Sequence, residues 1–338
     1  LSTMNSADIA SLFEDISPEI IPLLFRLLPK ELAAETFVEM DSNTQELLIK
    51  GFSDVELKEV VDALYVDDAV DIVEEMPANV VKRILMQADA EKRRMINTIL
   101  KYPEDSAGSI MTTEYVELRP QMTASEAIKH IRRSGIRKET INTCYVSSKD
   151  KKLIGEITIR DLILADSDEK MEEIMEDNLI SVTTMEDQEH VAKQFSKYDL
   201  LSMPVVDGEG RLVGIVTVDD VLDVLQEEVT EDIEKMAAIV PSDKPYLKLS
   251  TFELWKSRIP WLLLLMVSAT FTGMIITRFE AALAKSLVLT AYIPMLMDTG
   301  GNSGSQASVT VIRGISLGDV EFCRYRAVGQ TVPEALHL

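Results

Sequence analysis

Between positions 219 and 234 the chain carries eight carboxylates and no basic residue: Asp219, Asp220, Asp223, Glu227, Glu228, Glu231, Asp232 and Glu234. Read as a helix, this stretch puts Asp220, Asp223, Glu227 and Glu231 at three- and four-residue steps on one face, with Glu228 and Asp232 flanking it. Like charges at such spacing repel by a few tenths of a kcal/mol per pair (about 0.2–0.5), so something must offset them. A hard divalent cation does so, and Mg²⁺ suits a loose cluster because it takes carboxylate oxygen while keeping several waters. A solvated helix face that tolerates the repulsion at physiological salt is the competing reading, and the charge pattern alone favours it.

A second pattern occurs twice. Gly-x-x-Thr-x-x-Asp runs from Gly155 to Asp161 and again from Gly214 to Asp220. A carboxylate can accept from two hydroxyls, and a hydroxyl can donate to a phosphate oxygen. The alternative is a helix cap at each strand end. The third candidate is Asp298, followed by the polar run through Gly300, Gly301, Asn302, Gly304 and Gln306 inside an apolar region. A polar break at membrane depth is costly unless it lines a cavity or packs on protein, and an ionisable residue there is a functional candidate by default.

Composition narrows the field. The net charge is −23 from 57 acidic and 34 basic residues, which argues against nucleic acid as a partner and suits a cation. Cys144 and Cys323 form no CxxC pair, and His130, His190 and His337 show no metal-ligand spacing. There is no Ser/His/Asp set, phosphate-cradling glycine loop or metal triad, so no enzyme is expected. No basic segment followed by a short apolar run opens the chain, so no signal peptide is expected.

Four regions must position these residues. Residues 1–103 read as short helices with apolar steps at Ile9, Leu12, Phe13 and Ile16 and at Leu57, Val60, Val61 and Leu64, broken by Ser17-Pro18, Asp41-Ser42-Asn43, Ser53-Asp54 and Met76-Pro77. This predicts an all-α helical superhelix, with an irregular bundle as the alternative. Residues 104–229 hold an internal repeat, about 104–170 and 171–229, in which Cys144 to Ile163 aligns with Met203 to Leu222 at a constant offset of 59. Each copy reads helix, strand, turn, strand, helix. Residues 230–257 read as an acidic linker helix. Residues 258–338 begin with an uncharged apolar run at 259–277, long enough to span a bilayer, with Trp255 and Trp261 at its start; a second membrane helix is expected over about 284–313. Lys256 and Arg258 before the first span place the N-terminal domains in the cytoplasm.

The repeat resembles a tandem pair of cystathionine-β-synthase (CBS) domains, α/β modules whose cleft often binds adenine nucleotides. The resemblance implies ATP or another adenine nucleotide as a ligand, with Asp161 or Asp220 holding ribose hydroxyls and Thr158 or Thr217 facing phosphate. The whole order, with Gly-Gly-Asn-Ser-Gly-Ser-Gln at 300–306, Val-Ile-Arg-Gly at 311–314 and Leu-Gly-Asp at 317–319, resembles the MgtE family of magnesium channels. That resemblance implies a homodimer in a bacterial cell membrane, multi-pass, with a pore of five helices per subunit. It further implies Mg²⁺ sensing by Asp220, Asp223, Glu227, Glu228, Glu231 and Asp232, and a linker helix that plugs the pore. On the helical domain, Glu31, Asp67, Asp68 and Asp71 are candidates to face the CBS pair. The chain departs from the family from Glu321 onward, where Cys323-Arg324-Tyr325-Arg326 and Thr331-Val332-Pro333 lead to its end without an apolar run. It is therefore expected to be C-terminally truncated and to hold the sensor and the first pore helices only. The alternative function is an adenine-nucleotide-sensing CBS module of another membrane transporter.

Overall fold

The computed structural model describes residues 3–242, 249–285 and 287–317. The divergent segment from Glu321, with Cys323, and part of the linker at 243–248 lie outside the described residues. By internal contacts the chain divides into Leu1–Val224 and Leu225–Leu338.

The first unit opens with eight helices: α1 (Ser6–Glu14), α2 (Ile21–Phe25), α3 (Lys30–Val38), α4 (Ser42–Gly51), α5 (Asp54–Ala63), α6 (Val66–Glu75), α7 (Ala78–Gln87) and α8 (Ala90–Ile99). Short polar side chains start several of them. Asn5, Asp41, Ser53 and Asp89 each accept from a first-turn N–H, and Ser53 with Glu56 forms a reciprocal capping box. Helices pack on the one two places along the chain, α1 on α3, α3 on α5, α5 on α7 and α6 on α8, which makes the superhelix expected from the sequence. Phe25, Phe37 and Phe52 meet at its centre, with ring centroids 5.4–6.4 Å apart. Arg83 donates to the carbonyls of Ile49 and Phe52, satisfying groups that the end of α4 leaves without helical partners.

Two copies of one α/β module follow. The first holds β1 (Glu117–Leu118), α9 (Ala124–Ser134), β2 (Thr143–Ser147), β3 (Leu153–Thr158), α10 (Ile159–Leu164) and α11 (Met171–Ile174). The second holds β4 (Val182–Thr183), α12 (Gln188–Tyr198), β5 (Ser202–Val206), β6 (Leu212–Thr217) and α13 (Val218–Met236), the last running on into the second unit. Each sheet is a hairpin with one extra parallel strand, in the orders β1-β2-β3 and β4-β5-β6. Those two-residue parallel strands are absent from the sequence reading, because two residues show no alternation. The hairpin registers repeat the 59-residue offset: Thr143 opposes Thr158, and Ser202 opposes Thr217. Lys151 (φ 61°) and Gly210 (φ 77°) occupy the equivalent left-handed position of the two hairpins.

Gly155 and Gly214 are equivalent too, and both admit a close neighbour. A Cβ on Gly155 would strike the Met175 side chain, while one on Gly214 would lie 2.6 Å from Met111 Sδ and 2.8 Å from the backbone oxygen of Thr112. The apolar core of the helices includes Ala107 and Met111 and continues into the second copy through Val205, Val216 and Val221. The first copy keeps a separate core around Val116, Ile131, Val146 and Leu162.

In the second unit, α14 (Thr251–Arg278) is long and apolar enough to cross a membrane and contains Pro260. A short helix α15 (Glu280–Leu283) leads to α16 (Leu287–Ser316). The second membrane helix is expected over about 284–313, and α16 runs unbroken there through Gly300, Gly301, Asn302, Gly304 and Gln306. Its backbone N–H and C=O groups then pair within the helix, which removes the cost that a break at membrane depth would carry.

Candidate metal centre

Helix α6 begins without a side-chain cap of its own, because its N-cap is Tyr65. The Val66 N–H donates instead to Glu114 Oε2 at 3.0 Å. Glu114 belongs to the segment that leads into β1, so a carboxylate beside the first CBS copy caps a helix of the superhelix. An anion at a helix N-terminus is favoured by the free N–H groups and the helix dipole. The same turn carries Asp67 and Asp68. The Glu139 N–H donates to the Glu114 carbonyl at 2.9 Å, which brings a third segment to the same place. Carboxylate oxygens of Asp67, Glu114 and Glu139 all lie within 4.8 Å of one another.

Burial makes this cluster electrostatically expensive. Asp67 is only 6% exposed, and Glu114 and Glu139 are half-buried. Loss of water raises the Glu139 carboxyl to about 9, and the charges of Asp67, Asp68, Asp219 and Asp220 add to the rise. Burial likewise raises Asp67, reinforced by Asp68, and raises Asp220, reinforced by Asp67. Glu114 is raised by burial but held back by the Val66 N–H and by Lys92. Glu139 Oε2 is buried and meets no hydrogen-bond donor among the described residues. Close acidic oxygens with an unmet acceptor fit a hard cation, which takes oxygen ligands and relieves the repulsion.

The acids named from sequence divide between places. Asp220 joins the cluster electrostatically. Its carboxylate also accepts from Thr217 Oγ1 at the start of α13, so the local role of Thr217 and Asp220 is a helix start. Thr158 does the same for α10, its hydroxyl accepting from Asp161 N at 3.1 Å while Asp161 stays exposed. Asp223 and Glu227 lie on exposed parts of α13, and Glu228 is partly buried. Glu231 pairs with Lys235 at 2.5 Å, just beyond the acidic stretch. Asp232 accepts from Arg313 Nη1 at 3.4 Å and from Ser316 Oγ within the second unit. Asp298 lies exposed on α16 with the glycines. Of the N-domain candidates, Asp67 and Asp68 take part, Asp71 acts on Asp67 from an exposed position, and Glu31 is exposed. Sequence reasoning missed Glu114 and Glu139, since each sits in a loop with no charge pattern around it.

Comparison with known proteins is consistent with these regions. Residues 4–105 match the MgtE intracellular N domain, and residues 107–168 and 171–227 each match the CBS domain. The chain is 37% identical to the magnesium transporter MgtE of Thermus thermophilus, covering 97% of this chain and 74% of that protein. It is 33% identical to the magnesium transporter MgtE of Bacillus subtilis, covering 91% of this chain and 71% of that protein. Among solved structures, it is similar to the cytosolic domain of the Mg²⁺ channel MgtE in complex with ATP. The TM-score there is 0.62 at 38% identity, over 65% of this chain and 90% of that one. The soluble part of another magnesium transporter matches with a TM-score of 0.63 at 28% identity, over 67% of this chain and 89% of that one.

Proposed function

Because the chain belongs to the MgtE family, we propose that it serves Mg²⁺ transport across a bacterial cell membrane, its helical and CBS domains sensing the ion in the cytoplasm and closing the pore. The observation that carries the sensing step is the meeting of Asp67, Glu114 and Glu139 within 4.8 Å, with Asp68, Asp219 and Asp220 acting on them. At high Mg²⁺ the ion joins carboxylates of the superhelix to those of the CBS pair, so the domains stay together. At low Mg²⁺ the carboxylates repel and the domains part. The ion shifts this equilibrium only because the compact state offers it more ligands. The exposed acids Asp223 and Glu227, with Glu228, Glu231 and Asp232, extend the acidic field along α13 toward the membrane helices.

The apolar part of α14 from Ile259, with Lys256 and Arg258 just ahead of it on the same helix, supports a membrane protein whose domains up to α13 are cytoplasmic, and the family likeness supports a multi-pass one. A homodimer is the assembly we propose. Asp298 and the glycine-rich face of α16 would line the ion path, small residues allowing close helix approach. A nucleotide reading has one specific support, the ATP complex of a similar cytosolic domain. We place an adenine nucleotide at the first CBS copy, where Thr158 and Asp161 are exposed, rather than at the half-buried Asp220.

Limited proteolysis and titration calorimetry of the detergent-solubilised chain test the sensor. Proteolytic protection should rise as Mg²⁺ reaches the millimolar range, with heat of binding over the same range. A folded protein that takes up no Mg²⁺ and shows unchanged cleavage would sink the proposal.

A further inference from the structure

One cation is built into the acidic junction. Lys92, on α8, is 7% exposed. Its ammonium donates to the carbonyl oxygen of Val61 at 2.7 Å and to that of Leu64, the carbonyls that the end of α5 leaves without helical partners. Leu64 is two residues before Val66, whose N–H is held by Glu114. The short link from α5 to α6 is thus held on one side by Lys92 and on the other by Glu114. Of the carboxylates acting on Lys92, Glu114 comes first, followed by Asp62, Asp89 and Asp68, so the ammonium shares Glu114 with the cluster.

We propose that Lys92 is a positioning residue that also sets the Mg²⁺ threshold, its fixed positive charge opposing entry of the ion among Asp67, Glu114 and Glu139. This inference deepens the sensor reading and rests on it. Converging carboxylates without a nearby cation would hold a divalent ion too tightly to respond at cellular concentrations. A buried ammonium lowers that affinity, because like charges at close range in a poorly screened site repel strongly. It also stabilises the ion-free state by partly neutralising the carboxylates. Half-buried Lys138 acts on Glu114 in the same sense. Lys92 differs in being nearly sealed from water and tied to the link that leads into the first turn of α6, where Asp67 and Asp68 sit.

The sign of the effect separates this role from a purely structural one. Loss of a structural tether loosens the site and weakens binding, whereas loss of an opposing charge tightens it. Calorimetric titration of the whole solubilised chain with MgCl₂ reads the difference. Lys92→Gln keeps a donor for the two carbonyls but removes the charge, and its Kd should fall about three- to tenfold. Lys92→Arg keeps the charge, and its Kd should stay within about twofold of wild type. Arg83→Gln is the structural control: Arg83 also holds carbonyl groups, at Ile49 and Phe52, and its loss should lower Tm without tightening Mg²⁺. Unchanged or weaker binding in folded Lys92→Gln overturns the proposal.

If the neutral variant does not fold, wild type decides. Coupling is reciprocal, so saturating Mg²⁺ must depress the titration midpoint of the Lys92 ammonium, followed by ¹⁵N-lysine NMR. A midpoint that Mg²⁺ leaves in place overturns the proposal. Failure of wild type to bind Mg²⁺ would remove the sensor reading and this one together. Binding by wild type with no tightening in Lys92→Gln would remove only the role of Lys92.

Discussion

The two CBS copies share one local design and put it in two environments. In each, a Thr at the end of the second hairpin strand starts a helix and engages an Asp three residues on, Thr158 with Asp161 and Thr217 with Asp220. The hairpins repeat the register and the left-handed turn residue. Yet Asp161 is exposed, whereas Asp220 is raised by burial and by the nearby Asp67. The motif settles how the helix begins. What packs against it settles whether its carboxylate faces water or lies buried among other acids.

The largest test of this contrast is pH. The folded pKa values of Asp67, Glu139 and Asp220 lie above their unfolded values, so the folded state binds more protons. Stability from these groups is full below the unfolded carboxylate range and is lost as pH rises toward about 9, where Glu139 ionises. In EDTA, Tm should fall by about 5 °C or more between pH 6 and pH 9. Mg²⁺ should shrink the fall, because it replaces the protons. A flat profile in EDTA would erase the difference between the copies.

Next are the paired glycines. Gly214→Ala must displace the Thr112 backbone, which pairs with Ile215 in both directions at 2.8 and 2.9 Å, and should cost about 2 kcal/mol. Gly155→Ala meets only the flexible Met175 side chain and should cost about half that. Denaturant unfolding ranks the two, and equal costs would mean that the Thr112 crossing adds nothing.

Charge removal sharpens the functional side. Asp220→Asn should weaken Mg²⁺ binding about tenfold, or ~1.4 kcal/mol, whereas Asp161→Asn should leave it within about twofold, both by calorimetry. Equal effects would place the ion elsewhere. The smallest effect is in the turns. Lys151→Gly should stabilise by about 0.5–1 kcal/mol and Gly210→Ala should destabilise by a similar amount, since a side chain is disfavoured at positive φ. Melting curves of the two variants check the opposite signs.

Much of this was legible before any coordinates. The constant offset of 59 made the two hairpins equivalent, so the pairing of Thr143 with Thr158 in one carries over to Ser202 with Thr217 in the other. Caps such as Ser53 and Asp41 are local and were readable as helix starts. The junction was not. Glu114 and Asp67 lie 47 residues apart, and only packing brings them together. A helical reading of 219–234 correctly put the acids on α13, but periodicity could not reveal that Asp232 is held by Arg313 and Ser316, far along the chain. The glycine-rich run lies inside the helix expected over about 284–313 and inside α16. Glycine weakens an isolated helix by about 1 kcal/mol per residue, but it does not forbid one, and water is a poorer reference where membrane surrounds the chain.

Pro260 gives α14 a property that its length alone would not. Twenty-eight residues at helical rise extend about 42 Å, more than the ~30 Å of a hydrocarbon layer. The imide ring has no N–H to offer the Lys256 carbonyl, so the turn that bears Trp255 and Arg258 is fastened less firmly to the apolar stretch that begins at Trp261. The surplus can therefore bend away at one elbow, and lipids of different thickness would be accommodated there without drawing charged side chains into oil.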